Sequence, residues 1–286
     1  MADEQRKKID MAHLLRMKEE GQKVSWLTAY DYPTALFEDK AGIEIIMPGD
    51  SGMMALLGHK NTLPATMEQM LWMTQAVARA VEYAFLIGDM PYMSYQVSKE
   101  EAIRNAGRFM AEAGVDCVKM EGGEHIAETM AAVVKAGVPV MGHIGMTPQS
   151  AASIGGYKSQ GRNVAAAKKI ISDAQTLEQA GAWAVLVEAV PARIARFIVD
   201  AVNVPVYGIG AGPDVDGQVV IVHDMLGLFE AFKPKFVRRY AELGKTMVSA
   251  FQTYKSDVKG GTFPGPEECY GISDEEYQRL EAELGG

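Results

Sequence analysis

The chain has 286 residues and 48% hydrophobic content, ample for a buried core. A net charge of -9 argues against a polyanion such as nucleic acid as the main partner, and with no run of 18 apolar residues no membrane span is expected. Two cysteines, Cys117 and Cys269, leave no disulfide framework or cysteine-based zinc site in view.

The charged start Met-Ala-Asp-Glu-Gln-Arg-Lys-Lys is followed by no apolar signal core, so a cytoplasmic protein is expected. After an N-terminal helical extension over about residues 1–22, apolar segments recur, most alternating with helical patterns. Val24–Tyr30 and Ile43–Gly49 read as the first two strands. The helical stretch Met67–Val81 separates them from a third, Tyr83–Asp89. Lys99–Ala113 leads to Cys117–Glu121, His125–Ala136 to Pro139–Gly145, and Val164–Ala180 to Ala184–Val190. Ala192–Ala201 then precedes Val204–Gly210, and Val219–His223 is the eighth strand. Several helices run into Ala-Gly, a C-cap signature (Ala113-Gly114, Ala136-Gly137, Ala180-Gly181).

Near-continuous apolar strands alternating with helices indicate a parallel sheet covered by helices. Eight in this length predict a single (β/α)8 TIM barrel, with a doubly wound open sheet as the alternative. The stretch Ala211-Gly-Pro-Asp-Val-Asp-Gly-Gln218 between the last two strands is too short for an ordinary crossover helix, so a reduced or missing helix is expected there. Extra C-terminal helices are expected over about residues 233–286, and no linker marks a domain boundary.

Active sites of such barrels sit at the C-terminal ends of the strands. Those ends carry Tyr30 and Asp31, Asp50 and Ser51, Asp89, Lys119 and Glu121, His143, Glu188, Gly208 to Gly212, and His223 with Asp224. One strand-end carboxylate is ordinarily a helix N-cap; a ring of them at equivalent positions is hard to explain that way. Asp50, Asp89 and Glu121 are hard oxygen donors, suited to Mg²⁺, and too few to cage it without water or a chelating ligand. Lys119 and Glu121 share one face of their strand, and the lysine suits a substrate carboxylate or a developing oxyanion, or a structural ion pair. Glu188 lies in the apolar run Ala184-Val-Leu-Val-Glu-Ala-Val190, which raises a carboxyl pKa and suits a general base, or a buried glutamate paired with an arginine.

The motifs Asp31-Tyr-Pro-Thr34, Gly49-Asp-Ser51, Thr62-Leu-Pro64, Val118-Lys-Met-Glu-Gly-Gly123 and Met141-Gly-His-Ile-Gly-Met-Thr-Pro-Gln-Ser150 recur in one family. So do Gly155-Gly-Tyr-Lys-Ser-Gln-Gly-Arg162, Gly208-Ile-Gly-Ala-Gly-Pro213, His223-Asp-Met-Leu-Gly227, Pro234-Lys-Phe-Val237 and Phe263-Pro-Gly-Pro266. In order and spacing, from about Leu27 to Glu267, the chain resembles the ketopantoate hydroxymethyltransferases. The resemblance implies a metal-dependent barrel of the phosphoenolpyruvate mutase and isocitrate lyase superfamily. Its expected reaction moves a one-carbon unit from 5,10-methylenetetrahydrofolate to 3-methyl-2-oxobutanoate, on the route to pantothenate and coenzyme A. It further implies Asp50 and Asp89 as Mg²⁺ ligands with Glu121 as a third carboxylate of the metal shell. Asp50, Ser51, Asp89 and Lys119 are implied as oxoacid contacts, Glu188 as the proton acceptor and His143 as a site residue. The small-molecule partners implied are the 2-oxoacid and the folate. A homo-oligomer is implied too, since the family forms decamers.

The chain departs from the family beside the expected metal. Ser51-Gly-Met-Met54 stands where Ser-Leu-Gly-Met is usual, Pro48 where a small aliphatic is, and Met90-Pro-Tyr-Met-Ser-Tyr95 where Met-Pro-Phe-Gly-Ser-Tyr is. Met93 in place of glycine is expected to add a long side chain beside the site, either narrowing the oxoacid pocket or the approach of the one-carbon donor and so altering specificity, or standing as neutral drift or compensated packing. A lyase or aldolase acting on another 2-oxoacid without folate, and a non-catalytic metabolite-binding barrel, are the alternative readings.

Overall fold

Each apolar segment forms a strand, and every strand pairs in parallel with its sequence neighbour until the eighth closes on the first. In this computed structural model, which describes residues 6–153 and 155–285, the chain opens with helix α1 (Met11–Glu19) and strand β1 (Val24–Thr28). The first five residues of the expected N-terminal extension lie outside the described residues. Then come α2 (Tyr32–Ala41), β2 (Ile45–Met47), α3 (Gly52–Ala55), α4 (Met67–Ala78) and β3 (Phe85–Asp89). α5 (Lys99–Ala113), β4 (Cys117–Glu121), α6 (Ala127–Lys135), β5 (Val140–Gly145), α7 (Val164–Gln179) and β6 (Ala184–Glu188) follow. The barrel ends with α8 (Ala192–Ala201), β7 (Val206–Ile209), β8 (Gly217–Val220) and the single turn α9 (Val222–Met225). Two C-terminal helices, α10 (Leu243–Gly260) and α11 (Asp274–Leu284), complete the chain.

Two apolar layers hold the barrel. Inward-facing Trp26, Met47, Ile87, Met141, Leu186 and Tyr207 fill its interior, while Val118, Met120, Val185 and Val187 face outward onto the helices. This alternation follows from the two-residue repeat of a strand, since both faces of a parallel sheet are covered. The bottom is plugged by the N-terminal segment: Ile9, Leu14 and Met17 belong to the interior cluster. Burying three such side chains is worth roughly 5–8 kcal/mol. The half-exposed Lys8–Asp116 pair at 2.7 Å adds at most about 1 kcal/mol, so apolar burial holds the plug.

No helix lies between β7 and β8, as the short connection requires. Asp216 takes over part of its role, its carboxylate accepting from Val206 N at 2.8 Å and pairing with Lys18 at 2.8 Å. Two expectations are corrected here. β8 stops at Val220 rather than His223, because Val222 N donates to the Thr28 hydroxyl (3.1 Å) and the chain coils into α9. α2, absent from the sequence reading, is set by Asp31, whose carboxylate caps Thr34 N at 2.8 Å, by Pro33 in its first turn, and by Gly42 in the left-handed region at φ +81°. Among the described residues no helix is long and apolar enough to cross a membrane.

Candidate active site

Register brings the charged strand ends together. Asp89 on β3 pairs with Lys119 on β4, Glu121 with His143 on β5, and Gly145 with Glu188 on β6. Gly145 is required where it is: at φ +92° a Cβ would stand 2.3 Å from the Glu188 carbonyl oxygen. The residue after Glu188, Ala189, is held in the left-handed region at φ +50°, a strained turn of the kind found at functional sites. Its N–H donates to Ile209 O at 2.9 Å and its carbonyl accepts from Gln160 N at 3.0 Å, which pins the strand end carrying the glutamate.

The side chains form one chain of contacts, all buried. The Lys119 ammonium sits 2.8 Å from Asp89 Oδ1 and 3.2 Å from Glu121 Oε1. His143 lies with Nδ1 3.4 Å from Glu121 and Nε2 3.1 Å from Glu188 Oε2. Asp50 N donates to Asp89 Oδ2 at 2.9 Å, which ties the end of β2 to that of β3. The expected neighbours Asp50, Asp89, Lys119, Glu121, His143 and Glu188 thus line one cavity of about 940 Å³, and Ser51 lines it too. Ser51 reaches the Tyr30 hydroxyl at 2.8 Å, and no arginine pairs with Glu188 among the described residues.

One residue at the centre carried no signal of its own in the sequence. Gln149 donates from Nε2 to Asp50 Oδ2 (3.0 Å) and Met90 O (2.9 Å), and its backbone N–H donates to Glu121 Oε2 (3.0 Å). The Tyr95 hydroxyl donates to Gln149 Oε1 (2.8 Å) and accepts from Glu121 N (2.9 Å). An uncharged amide is invisible to a search for titratable groups. Its only pointer was its place in the Met141–Ser150 motif.

Electrostatics divides the groups. Burial raises the Glu188 carboxyl, and the nearby His143 only partly offsets this. Burial and Lys119 pull the His143 imidazole down, yet Glu121 and Glu188 outweigh them and hold it at about 9. For Glu121 the order reverses: burial raises it, but Lys119 and His143 bring it to about 2. Asp50 is pushed well above the usual carboxylate range by burial and by the charges of Asp89 and Glu121. Asp89 is raised by burial, with Lys119 opposing. Four carboxyl groups therefore face two cations, and Asp50 and Asp89 are the pair whose charged forms most need a further cation.

That need fits a hard divalent cation. Among the described residues no three His, Cys, Asp or Glu side chains converge closely enough to hold an ion alone. Mg²⁺ is ordinarily bound in just this way, by one or two carboxylates with water and substrate oxygens completing its shell.

The departures from the family pattern are matters of packing. A Cβ on Gly52 would come 2.9 Å from the Tyr30 ring and 3.2 Å from Met73 Sδ, while Met53 is fully buried. Bulk lost at one position is supplied at the next. Met93 does not narrow the site, contrary to expectation. Its side chain is 47% exposed and does not line the cavity.

Comparison with known proteins gives a consistent picture. The family model described as ketopantoate hydroxymethyltransferase matches residues 8–266. A 3-methyl-2-oxobutanoate hydroxymethyltransferase of Syntrophobacter fumaroxidans is 51% identical over 91% of this chain and 92% of its own. The protein of the same name from Alkaliphilus metalliredigens is 50% identical over 96% and 98%. Among solved structures, a phosphonopyruvate hydrolase complexed with oxalate and Mg²⁺ shares the fold at a TM-score of 0.60 and 16% identity, covering 97% of this chain and all of that one. A 2,3-dimethylmalate lyase of the PEP mutase/isocitrate lyase superfamily does so at 0.56 and 13%, covering 96% of each chain.

Proposed function

The chain belongs to the ketopantoate hydroxymethyltransferase family, and from that premise we propose that it transfers a hydroxymethyl group from 5,10-methylenetetrahydrofolate to 3-methyl-2-oxobutanoate, giving 2-dehydropantoate. The observation that carries the reading is Glu188, a buried carboxyl of raised pKa in the same cavity as the crowded carboxyls of Asp50 and Asp89.

Asp50 and Asp89 would hold Mg²⁺, with Glu121 adjoining. When bound, the cation supplies Lewis-acid polarisation of the oxoacid's carboxylate and keto oxygens, which acidifies the C3–H. Glu188 takes that proton. A carboxylate whose pKa is raised by burial is a stronger proton acceptor than an exposed one, which suits the task. His143, 3.1 Å away, orients the carboxylate and balances its charge. The Lys119 ammonium favours negative charge developing on the keto oxygen. The enolate carbon then forms a bond to the donor's methylene carbon as one of its two C–N bonds breaks, and the freed nitrogen takes the proton that Glu188 removed. Water breaks the remaining C–N bond, leaving the hydroxyl on the product and the proton on tetrahydrofolate. Ser51, hydrogen-bonded to Tyr30, is left to contact the oxoacid.

Deuterium exchange at C3 of 3-methyl-2-oxobutanoate, with Mg²⁺ and with or without the folate, tests the proposal. Wild type is expected to exchange in both cases and to form product only with folate. Glu188→Gln should lower exchange by roughly 10²–10⁴-fold. Wild type that exchanges nothing would be a binding barrel. Folate-independent cleavage would mark a lyase, and full-rate exchange by Glu188→Gln would mean another base.

A further inference from the structure

The cavity has two chemically different halves. The ends of β2 to β6 supply all the groups that act on the oxoacid. The side formed by β7, β8, β1 and the segment after α9 is apolar, with Ile209, Val219, Ile221, Phe229, Phe232 and Phe236 on its walls. A five-carbon oxoacid has no use for this second half, and about 940 Å³ is room for a ligand several times larger.

One charged side chain interrupts the apolar wall. Asp224 is 8% exposed and lines the cavity, and among the described residues no N–H, hydroxyl or cationic group pairs with its carboxylate. Its carboxylate opens onto the cavity with no protein partner, and its two oxygens are suited to a ligand offering two parallel N–H groups. Burial lifts it to about 6, with Arg239 opposing. Phe229 and Phe232 meet edge to face at 5.5 Å, and the Phe236 ring lies against Gly210. They make an aromatic wall for a flat heterocycle. At the mouth, Arg162 and Lys235 have no carboxylate partner among the described residues, in a chain of net charge -9.

We infer that this apolar half seats the one-carbon donor: Asp224 accepts the 2-amino and ring N–H of its pterin, the phenylalanines pack on the ring, and Arg162 and Lys235 meet the carboxylates of its tail. The assignment rests on the reading that the donor is a reduced folate. It places the methylene group between a pterin held at α9 and an enolate formed over β2 to β6, so that each substrate has its own wall.

Calorimetric titration of tetrahydrofolate, with 3-methyl-2-oxobutanoate and Mg²⁺ present, tests it. Asp224→Asn keeps the shape of the side chain but loses its charge and one acceptor. Its Kd for tetrahydrofolate should rise about 10- to 100-fold. Phe232→Ala, at a position 53% exposed and so safe for folding, should raise it about 3- to 10-fold. A tetrahydrofolate analogue lacking the 2-amino group should bind wild type about as weakly as tetrahydrofolate binds Asp224→Asn. Binding within twofold of wild type by both variants, or indifference of wild type to the 2-amino group, overturns the assignment and leaves the proposed reaction standing. Wild type that exchanges C3 deuterium but binds no tetrahydrofolate removes the folate donor and this inference together.

Discussion

The charged form of Asp50 is the one least compensated by the site's own cations, since Asp89 is shared with Lys119 at 2.8 Å and Glu121 with Lys119 and His143. Asp50→Asn keeps the Gln149 contact through its amide oxygen but removes that charge. Mg²⁺ affinity, measured by calorimetry, should fall at least ~10-fold and turnover with it. Near wild-type turnover at limiting Mg²⁺ would place the cation elsewhere. A second residue lies outside the site. Both carboxylate oxygens of Glu38 on α2 are buried without a hydrogen-bond partner, and burial, with Asp31 adding, lifts the group to about 9. The unfolded chain releases this proton near 4.3, so folding takes up a proton at any pH between the two values. Stability from this group is complete below about 4.3 and is lost as pH rises toward 9, by at most about 1.4 kcal/mol per pH unit. Glu38→Gln should therefore match wild type in urea melts near pH 5 and exceed it by about 2–4 kcal/mol near pH 8. An equal difference at both pH values would show that Glu38 is charged and paired in solution.

At the scale of elements, the loop after β3 shows what a residue swap does and does not reach. Ser94 N donates to Pro91 O at 3.1 Å, and Met93, at φ +65°, fills the position where such a turn ordinarily has glycine. The turn delivers Tyr95 to Glu121 and Gln149, so its backbone matters to the site while the Met93 side chain faces solvent. A left-handed non-glycine residue costs about 1–2 kcal/mol, and glycine gives back roughly 0.4–1 through its freer unfolded chain. Met93→Gly should gain about 0–1 kcal/mol in stability and leave the ranking of kcat/KM over a panel of 2-oxoacids unchanged. A reordered ranking would show that the side chain enters the pocket in solution. Most strands were legible because a parallel barrel buries both faces, which writes them as near-continuous apolar runs ending in a functional group, as in β6, Ala184–Glu188; β4, Cys117–Glu121, has the predicted bounds although Lys119 interrupts it. α2 was not, since half its length is polar and only its caps Asp31 and Gly42 mark it. The end of β8 depends on the Thr28 hydroxyl 194 positions away, and the place of Gln149 on Asp50 spans 99, distances over which no local pattern speaks.

At the scale of the whole molecule, the barrel buries no residue of its two C-terminal helices. α10 has 18 residues and none is buried, although Leu243, Met247, Phe251, Tyr254 and Val258 recur along it at steps of four, four, three and four. That spacing draws one apolar stripe down a helix, the pattern of a seam between helices. α11 repeats it with Tyr277, Leu280 and Leu284. A stripe of this size left in water is an association surface, since monomers rarely expose contiguous apolar patches beyond a few hundred Å². The homo-oligomer expected from the family resemblance is accordingly proposed to use this helix against another copy of the chain. The α10 side chains are spent on no contact within the barrel, so charging the stripe should separate subunits without unfolding them. In Phe251→Asp/Tyr254→Asp, light scattering behind a sizing column should show a smaller species than wild type, with the far-ultraviolet helical signal retained. C3 exchange should then report whether a lone barrel suffices for proton abstraction, because every group assigned to that step lies on one chain. A double variant that keeps the wild-type mass would place the subunit contact on another face and leave α10 to a different partner.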